Sequence, residues 1–270
     1  MNFHSIIAEV QDNLGIIKFN RAEKANAMDS YFWQELPQAL QNFSENPQVR
    51  VVLIYGEGKN FSAGIDLAML ASLKEMVKDL DIGRASEKIQ QFIQNLQESI
   101  NAIEKCSKPV IACIHGACIG GAVDLIAACD MRFASQEAYF CIKEVDMGII
   151  ADLGTLQRLP KLIPAGVVAE LAYTARNFSA QEALQMGLVN KIWESKDQLL
   201  SETQKIAVQI AEKSPLIIRG IKKTLLYSRE HSVQEGLQFI SYWNASQLLS
   251  KDVEIALMAQ LQKQKPNFEN

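Results

Sequence analysis

Residues 109–130, PVIACIHGACIGGAVDLIAACD, place a short apolar run, a glycine-rich junction and a second apolar run in direct succession. The first run has the length and continuity of a buried strand, and a helix is predicted to begin at about Gly121. Residues 50–67, RVVLIYGEGKNFSAGIDL, repeat this order, with a helix predicted to start near Asp66. Buried strands that alternate with helices are typical of a parallel sheet, so the chain is predicted to be an α/β protein.

The segments around these two junctions extend the same pattern. Alternation in residues 4–19 predicts two strands joined by a turn at 12–15, and a helix capped by Asp29 or Ser30 follows the small-residue loop 20–29. Residues 68–108 predict two helices with a break near 79–83. Further strands are predicted at 131–134, 138–142 and 189–193, and further helices at 162–175 and after the capping residue Ser179.

The composition changes at about Asp197, after which no strand is predicted. Three helices follow to about residue 263, of which Pro215 opens the second and the third starts near Ser250. We therefore divide the chain into a core at 1–196, which holds the substrate site, and a helical region at 197–270. This second region either packs on its own core or bridges subunits.

Composition excludes several classes of protein. The chain has 270 residues, a net charge of −4 and a pI of about 5.5, so no nucleic-acid partner is predicted. The apolar runs are too short or too interrupted to cross a bilayer, and no membrane partner is predicted. Five cysteines without a C-x-x-C motif indicate reduced core residues, and three scattered histidines predict no metal site. The N-terminus lacks the pattern of a signal peptide, so we expect a cytoplasmic protein.

Each strand–glycine–helix junction is predicted to present one free backbone N–H at a helix start. Two converging N–H groups would form an oxyanion hole, which stabilises the enolate-like oxygen of a thioester when the adjacent C–H is deprotonated. Asp124 follows Gly121 by about one helical turn, close to the same point. The alternatives are that the glycines serve only tight turns and that Asp124 complements the helix dipole.

Other catalytic motifs are not found at these junctions. Neither junction has the pattern of a phosphate-binding loop or a dinucleotide-binding turn. Ser62 stands in F-S-A-G and not in a G-x-S-x-G elbow, so no hydrolase pair with His115 is predicted.

Residues 143–160, KEVDMGIIADLGTLQRLP, carry Glu144, Asp146 and Asp152 among apolar side chains, with no lysine or arginine between Lys143 and Arg158. An anion in apolar surroundings without a cation nearby is costly, so the pKa of such a carboxyl should rise. A raised pKa suits a group that takes a proton from carbon, or gives one to it, near neutral pH. The alternative is that these are loop carboxylates in water.

Four segments in this order resemble the crotonase (enoyl-CoA hydratase/isomerase) superfamily. They are NRAEKANAM at 20–28, FSAGIDL at 61–67, HGACIGGAVD at 115–124 and the acidic stretch at 143–160. The resemblance spans about 4–262, and within the superfamily the acidic stretch, AYTAR at 172–176 and LLYSREHSV at 225–233 are similar to Δ3,5-Δ2,4-dienoyl-CoA isomerases. Ala22 replaces the usual proline and Ala122 a common third glycine, but both remain small.

The resemblance implies a spiral of repeated ββα turns followed by C-terminal helices that form a homotrimer, often a dimer of trimers. It implies Ile65 and Gly121 as the oxyanion-hole donors and Asp124, Glu144 and Asp152 as catalytic acids. The implied substrate- and CoA-binding residues are Lys24, Ala25, Ala27, Gly64, Ile65, Asp66, Leu67, Ala68, Gly121 and Ala122. The implied substrate is an acyl-CoA thioester, and no cofactor is needed because the oxyanion hole carries the charge.

The three acids favour an isomerase of unsaturated fatty-acid oxidation over a hydratase. A hydratase of this family holds its water between two glutamates, at the positions of Asp124 and Glu144, and has glycine where Asp152 stands. Converting 3,5-dienoyl-CoA to 2,4-dienoyl-CoA removes a proton at C2 and delivers one at C6, which suits two separate carboxyl groups. Glu144 is predicted to act at C2 and Asp152 at C6, with Asp124 orienting or tuning the pair.

Two other functions are weighed against this prediction. Enoyl-CoA hydratase or another crotonase activity is the first alternative. An RNA-binding or scaffolding role is the second, and the acidic balance and the complete set of acids argue against it.

Overall fold

A computed structural model describes residues 3–270 as a mixed α/β fold built on two sheets. The main sheet has the order β1–β2–β3–β4–β6–β9, with β1 Ile6–Gln11, β2 Leu14–Phe19, β3 Val51–Gly56, β4 Val110–Ile114, β6 Met131–Ser135 and β9 Lys191–Trp193. The second sheet has the order β5–β7–β8, with β5 Ala117–Ile119, β7 Tyr139–Cys141 and β8 Phe178–Ser179.

The pairing of the main sheet confirms the predicted hairpin and parallel strands. β1 and β2 are antiparallel, and the turn between them places Asp12 and Asn13 at positive φ, the geometry of a tight two-residue hairpin. β2, β3, β4, β6 and β9 then pair in parallel. β5 was not predicted, because its three residues lie between Gly116 and Gly120 and look like part of the glycine junction.

Eleven helices surround the sheets: α1 Ser30–Glu45, α2 Leu67–Val77, α3 Ile82–Lys105, α4 Gly121–Ala128, α5 Thr155–Arg158, α6 Ala165–Thr174, α7 Ala180–Gln185, α8 Lys196–Ala211, α9 Pro215–Ser228, α10 Val233–Gln247 and α11 Lys251–Gln262, all within residues 3–270. The predicted caps are present: Asp29 accepts from the Phe32 N–H, and Ser179 and Glu182 form a capping box.

The core has two layers, one on each face of the main sheet. Successive strand residues alternate between the faces, so Val52 and Ile54 pack with α1, α3 and α4, while Val51 and Leu53 pack under α8. Leu199 and Ala207 of α8 are buried in that second layer. None of the helices within residues 3–270 is long and apolar enough to cross a membrane.

The C-terminal region differs from its prediction. Four helices are present where three were predicted, because the segment read as one helix from Pro215 is divided between Ser228 and Val233. Ser232 and Glu235 form a capping box that starts α10 there, a signal that the apolar periodicity on both sides concealed. α8, the first of the four, packs against the main sheet, and the division at 196/197 stays a prediction.

Candidate active site

The parallel pairing of β3 and β4 brings the two glycine junctions to the same edge of the main sheet. The junctions then bond to each other: the Ser62 N–H donates to the Ala117 carbonyl at 2.9 Å, and the Ile119 N–H donates to the Ser62 carbonyl at 3.1 Å. Loop 20–29 joins them, because the Met28 N–H donates to the Gly64 carbonyl at 2.8 Å. The segments singled out in the sequence therefore meet at one place.

Gly64 makes the close approach between the junctions possible. Gly64 has φ of +88°, and a Cβ atom at this position would lie 2.5 Å from the Ile119 carbonyl oxygen. A Cβ atom on Gly121 would lie 3.8 Å from the Ile65 nitrogen, so the two predicted donors are close together. Neither the Ile65 nor the Gly121 N–H donates to an acceptor in residues 3–270, which leaves both free for a ligand oxygen.

Asp124 lies one turn into α4 and is 1% exposed. Its Oδ1 accepts the Thr155 backbone N–H at 2.6 Å. Burial raises the pKa of Asp124 to about 6, although the bond from Thr155 opposes the shift. The carboxyl therefore titrates near neutral pH, and its bond to Thr155 ties α4 to the acidic stretch.

Glu144 opens a short 3₁₀ helix directly after β7, beside the turn that carries Gly121. Its Oε1 would lie 3.2 Å from a Cβ atom on Gly120, so the carboxyl group lies over the start of α4. Its Oε2 is buried and has no hydrogen-bond partner within the described chain. Burial, followed by the negative charge of Asp124, raises the pKa of Glu144 to about 7.

Asp152 completes the acidic group. Partial burial raises its pKa, and its charge raises the pKa of both Asp124 and Glu144, so the three carboxyls interact. Its backbone carbonyl accepts from the Gln97 side chain at 2.7 Å. Asp152 also lines a cavity of about 630 Å³ between α3, α5 and the end of α9.

The predicted CoA-binding residues lie mainly on two segments next to the oxyanion hole, loop 20–29 and residues 64–68 at the start of α2. Ala25 has φ of +49°, Lys24 and Leu67 are exposed, and Asp66 caps α2 through the Ala68 N–H at 3.0 Å. Ile65 supplies one of the two N–H groups, Gly64 before it is buried, and Ala27 is half-buried. Ala122 is fully buried, so its side chain belongs to the core and only its backbone could face a ligand.

Three residues given no role in the sequence analysis also belong to the site. The Arg21 guanidinium donates to the Asp66 carboxylate at 3.0 Å and joins loop 20–29 to the start of α2. The Trp33 ring would lie 3.9 Å from a Cβ atom on Gly121 and forms an apolar wall there. Arg158 bonds the turn that carries Asp152. Arg21 and Arg158 stand inside quoted motifs, whereas no local signal marks Trp33.

The structure also places the other side chains that the sequence analysis discussed: Ser62, His115, Asp146 and the five cysteines. Ser62 Oγ donates to the Asn26 carbonyl and His115 Nε2 contacts the Gly58 carbonyl, so these two side chains do not form a pair. Asp146 is an exposed partner of Lys143. The five cysteines are buried and unpaired. No cluster of three or more metal-ligating side chains lies within residues 3–270, and the lack of a metal stays a prediction.

Curated relatives and a solved structure are similar to this chain over most of its length. The Δ3,5-Δ2,4-dienoyl-CoA isomerase of Arabidopsis thaliana, named as peroxisomal, is 49% identical over 92% of this chain and 90% of its own length. The mitochondrial enzyme of that name from Mus musculus is 44% identical over 97% of this chain and 81% of its own. The crystal structure of an enoyl-CoA hydratase from Bacillus anthracis matches with a TM-score of 0.88 and 29% identity over 98% of this chain and 99% of that one.

These names correct one prediction. A cytoplasmic protein was expected, but the relatives at 44–49% identity are named as peroxisomal or mitochondrial. The expectation rested on reduced cysteines and on an N-terminus without the pattern of a signal peptide. These features argue against an oxidising compartment, and they do not distinguish one compartment that keeps thiols reduced from another.

A family model matches almost the whole chain. The model described as enoyl-CoA hydratase/isomerase covers residues 9–270, which include both glycine junctions, the acidic stretch and all four C-terminal helices. With that match and the relatives above, the chain belongs to the enoyl-CoA hydratase/isomerase family.

Proposed function

We propose that this protein converts 3,5-dienoyl-CoA to 2,4-dienoyl-CoA in the oxidation of unsaturated fatty acids. The observation that carries the proposal is Asp152, a third carboxyl that interacts with Glu144 and Asp124 beside two free N–H groups. Relatives named as this isomerase at 44–49% identity support it over the hydratase alternative.

The thioester oxygen binds to the N–H groups of Ile65 and Gly121. These donors strengthen their bonds as negative charge develops on that oxygen, so they stabilise the dienolate more than the substrate. A donor of this kind lowers the barrier by about 3 kcal/mol. The substrate is an acyl-CoA, whose CoA part follows loop 20–29 and the start of α2, and no cofactor takes part.

Two proton transfers complete the reaction. Glu144 takes the C2 proton, and the electron pair left at C2 spreads through the conjugated system to C6 as a dienolate. Protonated Asp152 then gives its proton to C6, and the double bonds stand at the 2 and 4 positions. Glu144 ends protonated and Asp152 ionised, so proton exchange between them or with water restores the starting state.

The raised pKa values suit this exchange. The pKa of Glu144 is about 7 and that of Asp124 about 6, and the pKa of Asp152 is raised as well. Because each ionised carboxyl raises the pKa of its neighbours, the three groups lose their protons in separate steps rather than together. A proton acceptor and a proton donor at neighbouring positions are what the proposed exchange requires.

The proposed assembly is a homotrimer or a dimer of trimers. α9, α10, α11 and the turn between the last two expose large apolar side chains. Among them are Leu225, Val233, Leu249 and Leu261, which are 67%, 81%, 93% and 79% exposed in the single chain. Such exposure over neighbouring helices is typical of a surface that another subunit covers. We propose no nucleic-acid or membrane partner.

The direct test supplies two substrates to the purified protein. With 3,5-dienoyl-CoA we expect a rise in the absorbance of a diene conjugated with the thioester carbonyl, and with 2-enoyl-CoA we expect slow or no hydration. Fast hydration with no formation of 2,4-dienoyl-CoA would establish the hydratase alternative.

The second test replaces the distinguishing residue. Asp152→Asn keeps the shape but cannot deliver the proton, so we expect kcat for isomerisation to fall by about 100-fold or more. Asp146→Asn is the matched control, because Asp146 lies in the same stretch but is exposed and paired with Lys143. Isomerisation that survives Asp152→Asn at nearly the wild-type rate would contradict the two-acid mechanism.

A further inference from the structure

Arg158 is buried at the end of α5 and makes a set of bonds that the proposed chemistry does not use. Its Nε and Nη2 donate to the two oxygens of Glu104 at 3.1 and 2.9 Å, a two-pronged contact between planar groups. Nη2 also donates to Asn101 Oδ1 at 2.6 Å, and Nη1 to the Leu153 carbonyl at 3.3 Å. The guanidinium therefore joins α3 to the turn at 152–155.

That turn carries two groups of the candidate site. Asp152 stands at its start, and the Thr155 N–H at its end bonds Asp124 at 2.6 Å. Gly154 lies between them at φ of +126°, where a Cβ atom would lie 1.8 Å from Arg158 Nη1. The guanidinium thus occupies the space of the missing side chain, and the backbone of the turn rests directly on it.

Glu104 holds Arg158 in place and links it to the C-terminal helices. Its Oε1 also accepts from Arg229 Nη1 at 2.6 Å, just after α9. Burial alone would raise the pKa of Glu104, but the bonds from Arg158 and Arg229 outweigh it and hold the pKa below its usual value. Glu104 therefore stays ionised at neutral pH and keeps both arginines oriented.

We propose that Arg158, oriented by Glu104, is a positioning residue that sets the placement of Asp152 relative to Asp124 and Glu144. The inference rests on the proposed function, since Asp152 is the proposed proton donor to C6. Arg158 touches no substrate atom in this scheme and acts through the turn. A displacement of about 1 Å at a reacting group lowers a rate by about 100-fold, so a small shift of the turn is enough.

The experiment uses Arg158→Lys, which keeps the charge but loses the two-pronged contact, and Glu104→Gln, which keeps the shape but loses the charge. Glu98→Gln is the matched control, because Glu98 lies on the same helix but is exposed and pairs with Lys105. For both test variants we expect kcat to fall by about 100-fold with KM within about three-fold, since the CoA-binding segments lie on other elements. The double variant should lower kcat by no more than the more damaging of the two single variants does, because Arg158 and Glu104 act as one unit.

A second readout separates positioning from stability. Displacing Asp152 weakens the charge repulsion at Glu144, so the acidic limb of the kcat profile should move to lower pH in Arg158→Lys. Carboxyl ¹³C NMR titration of Glu144, assigned with Glu144→Gln, should show the same downward movement of the pKa without any substrate.

The outcomes decide between the two proposals. A lower unfolding midpoint with unchanged kcat and unchanged titration of Glu144 would give Arg158 a purely structural role and overturn the inference. A wild-type protein that forms no 2,4-dienoyl-CoA from 3,5-dienoyl-CoA would contradict the proposed function instead. The titration then still decides whether Arg158 places Asp152 against Glu144.

Discussion

Glu144 combines burial, a like charge nearby and an oxygen that no group within residues 3–270 satisfies. These are the conditions under which a carboxyl group keeps its proton to higher pH. They favour proton transfer near neutral pH, and they also make the ionised form costly to the folded protein.

The sign of this cost follows from the two pKa values. The pKa is about 7 in the folded protein against a usual 4.5, so the folded state holds the proton more tightly than the unfolded state. The stability that this gives is fully present below pH 4.5 and is lost as pH rises towards 7. For one isolated group the loss is on the order of 3 kcal/mol.

Glu144→Gln should therefore inactivate the enzyme and stabilise it at high pH. At pH 8 we expect a free energy of unfolding higher than that of the wild type by up to about 3 kcal/mol, and a difference that shrinks towards pH 4.5. Chemical denaturation at fixed protein concentration measures both. Glu137→Gln, an exposed substitution, should show no such pH dependence, and a Glu144→Gln protein less stable than wild type at pH 8 would contradict the burial argument.

Asp124 affects the same titration. After burial, its charge is the largest cause of the raised pKa of Glu144. Asp124→Asn keeps an oxygen for the Thr155 N–H and removes the charge, so the pKa of Glu144 should fall. Because the base must be ionised, the acidic limb of the kcat/KM profile should move to lower pH. A limb that stays in place would show that Asp124 and Glu144 do not interact in the working enzyme.

At the scale of the elements, the site depends on how closely two strand–helix junctions approach. Gly64 is the point of closest approach, with φ of +88° and the Ile119 carbonyl 2.5 Å from a built Cβ atom. A side chain there must push β5 away or change the backbone that orients the Ile65 N–H. The same contact therefore controls both stability and the oxyanion hole.

Gly64→Ala should lower stability by about 1–3 kcal/mol and kcat by about 100-fold or more. The variant changes no group that moves a proton, so the remaining activity should rise and fall at the same pH values as that of the wild type. Gly166→Ala is the control, because it lies in α6 with nothing within 4 Å of a built Cβ atom. Equal activity of Gly64→Ala and wild type would mean that the Ile65 N–H does not bind the thioester oxygen.

At the scale of the whole molecule, α8 and the last three helices play different parts. α8 covers one face of the main sheet, whereas α9, α10 and α11 leave Val233, Leu249 and Leu261 at 81%, 93% and 79% exposure. A single chain with this surface would tend to associate. The contact of Arg229 with Glu104 places the same helical region next to the turn that carries Asp152.

Light scattering after size-exclusion chromatography should therefore give a mass of three or six times the 30.1 kDa subunit. Leu249→Glu places a charge on the exposed apolar surface and should reduce that mass or raise the concentration needed for assembly. Gln209→Glu on α8 adds the same charge outside that surface and should leave the assembly intact. A wild-type mass of one subunit at micromolar concentration would contradict the proposed assembly.

Much of the fold could be predicted because its signals are local. The hairpin at 12–15, the buried strands before each glycine junction and the caps at Asp29 and Ser179 each depend on a few neighbouring residues. β5 and the break before Val233 were missed because a stronger pattern on either side concealed them. The two glycine junctions, Asp124 and the acidic stretch were singled out from the residues themselves. The choice of Ile65 and Gly121 as donors and the roles of the three acids came from the resemblance, and they stay predictions.

By itself, the sequence determined most of the strands and helices, which carboxyls have apolar neighbours along the chain, and that two glycine turns start helices. Tertiary structure alone decided that Gly121 faces Ile65 and that the Trp33 ring forms an apolar surface beside Gly121. It also decided that Glu144 lies over the start of α4 with one carboxyl oxygen lacking a hydrogen-bond partner within residues 3–270. It also decided that Glu104, 54 residues before Arg158 along the chain, orients that arginine. The physical reason is that burial, electrostatic coupling and hydrogen-bond partners depend on distances in space, which the packing of α3, α4 and α5 sets and sequence spacing does not.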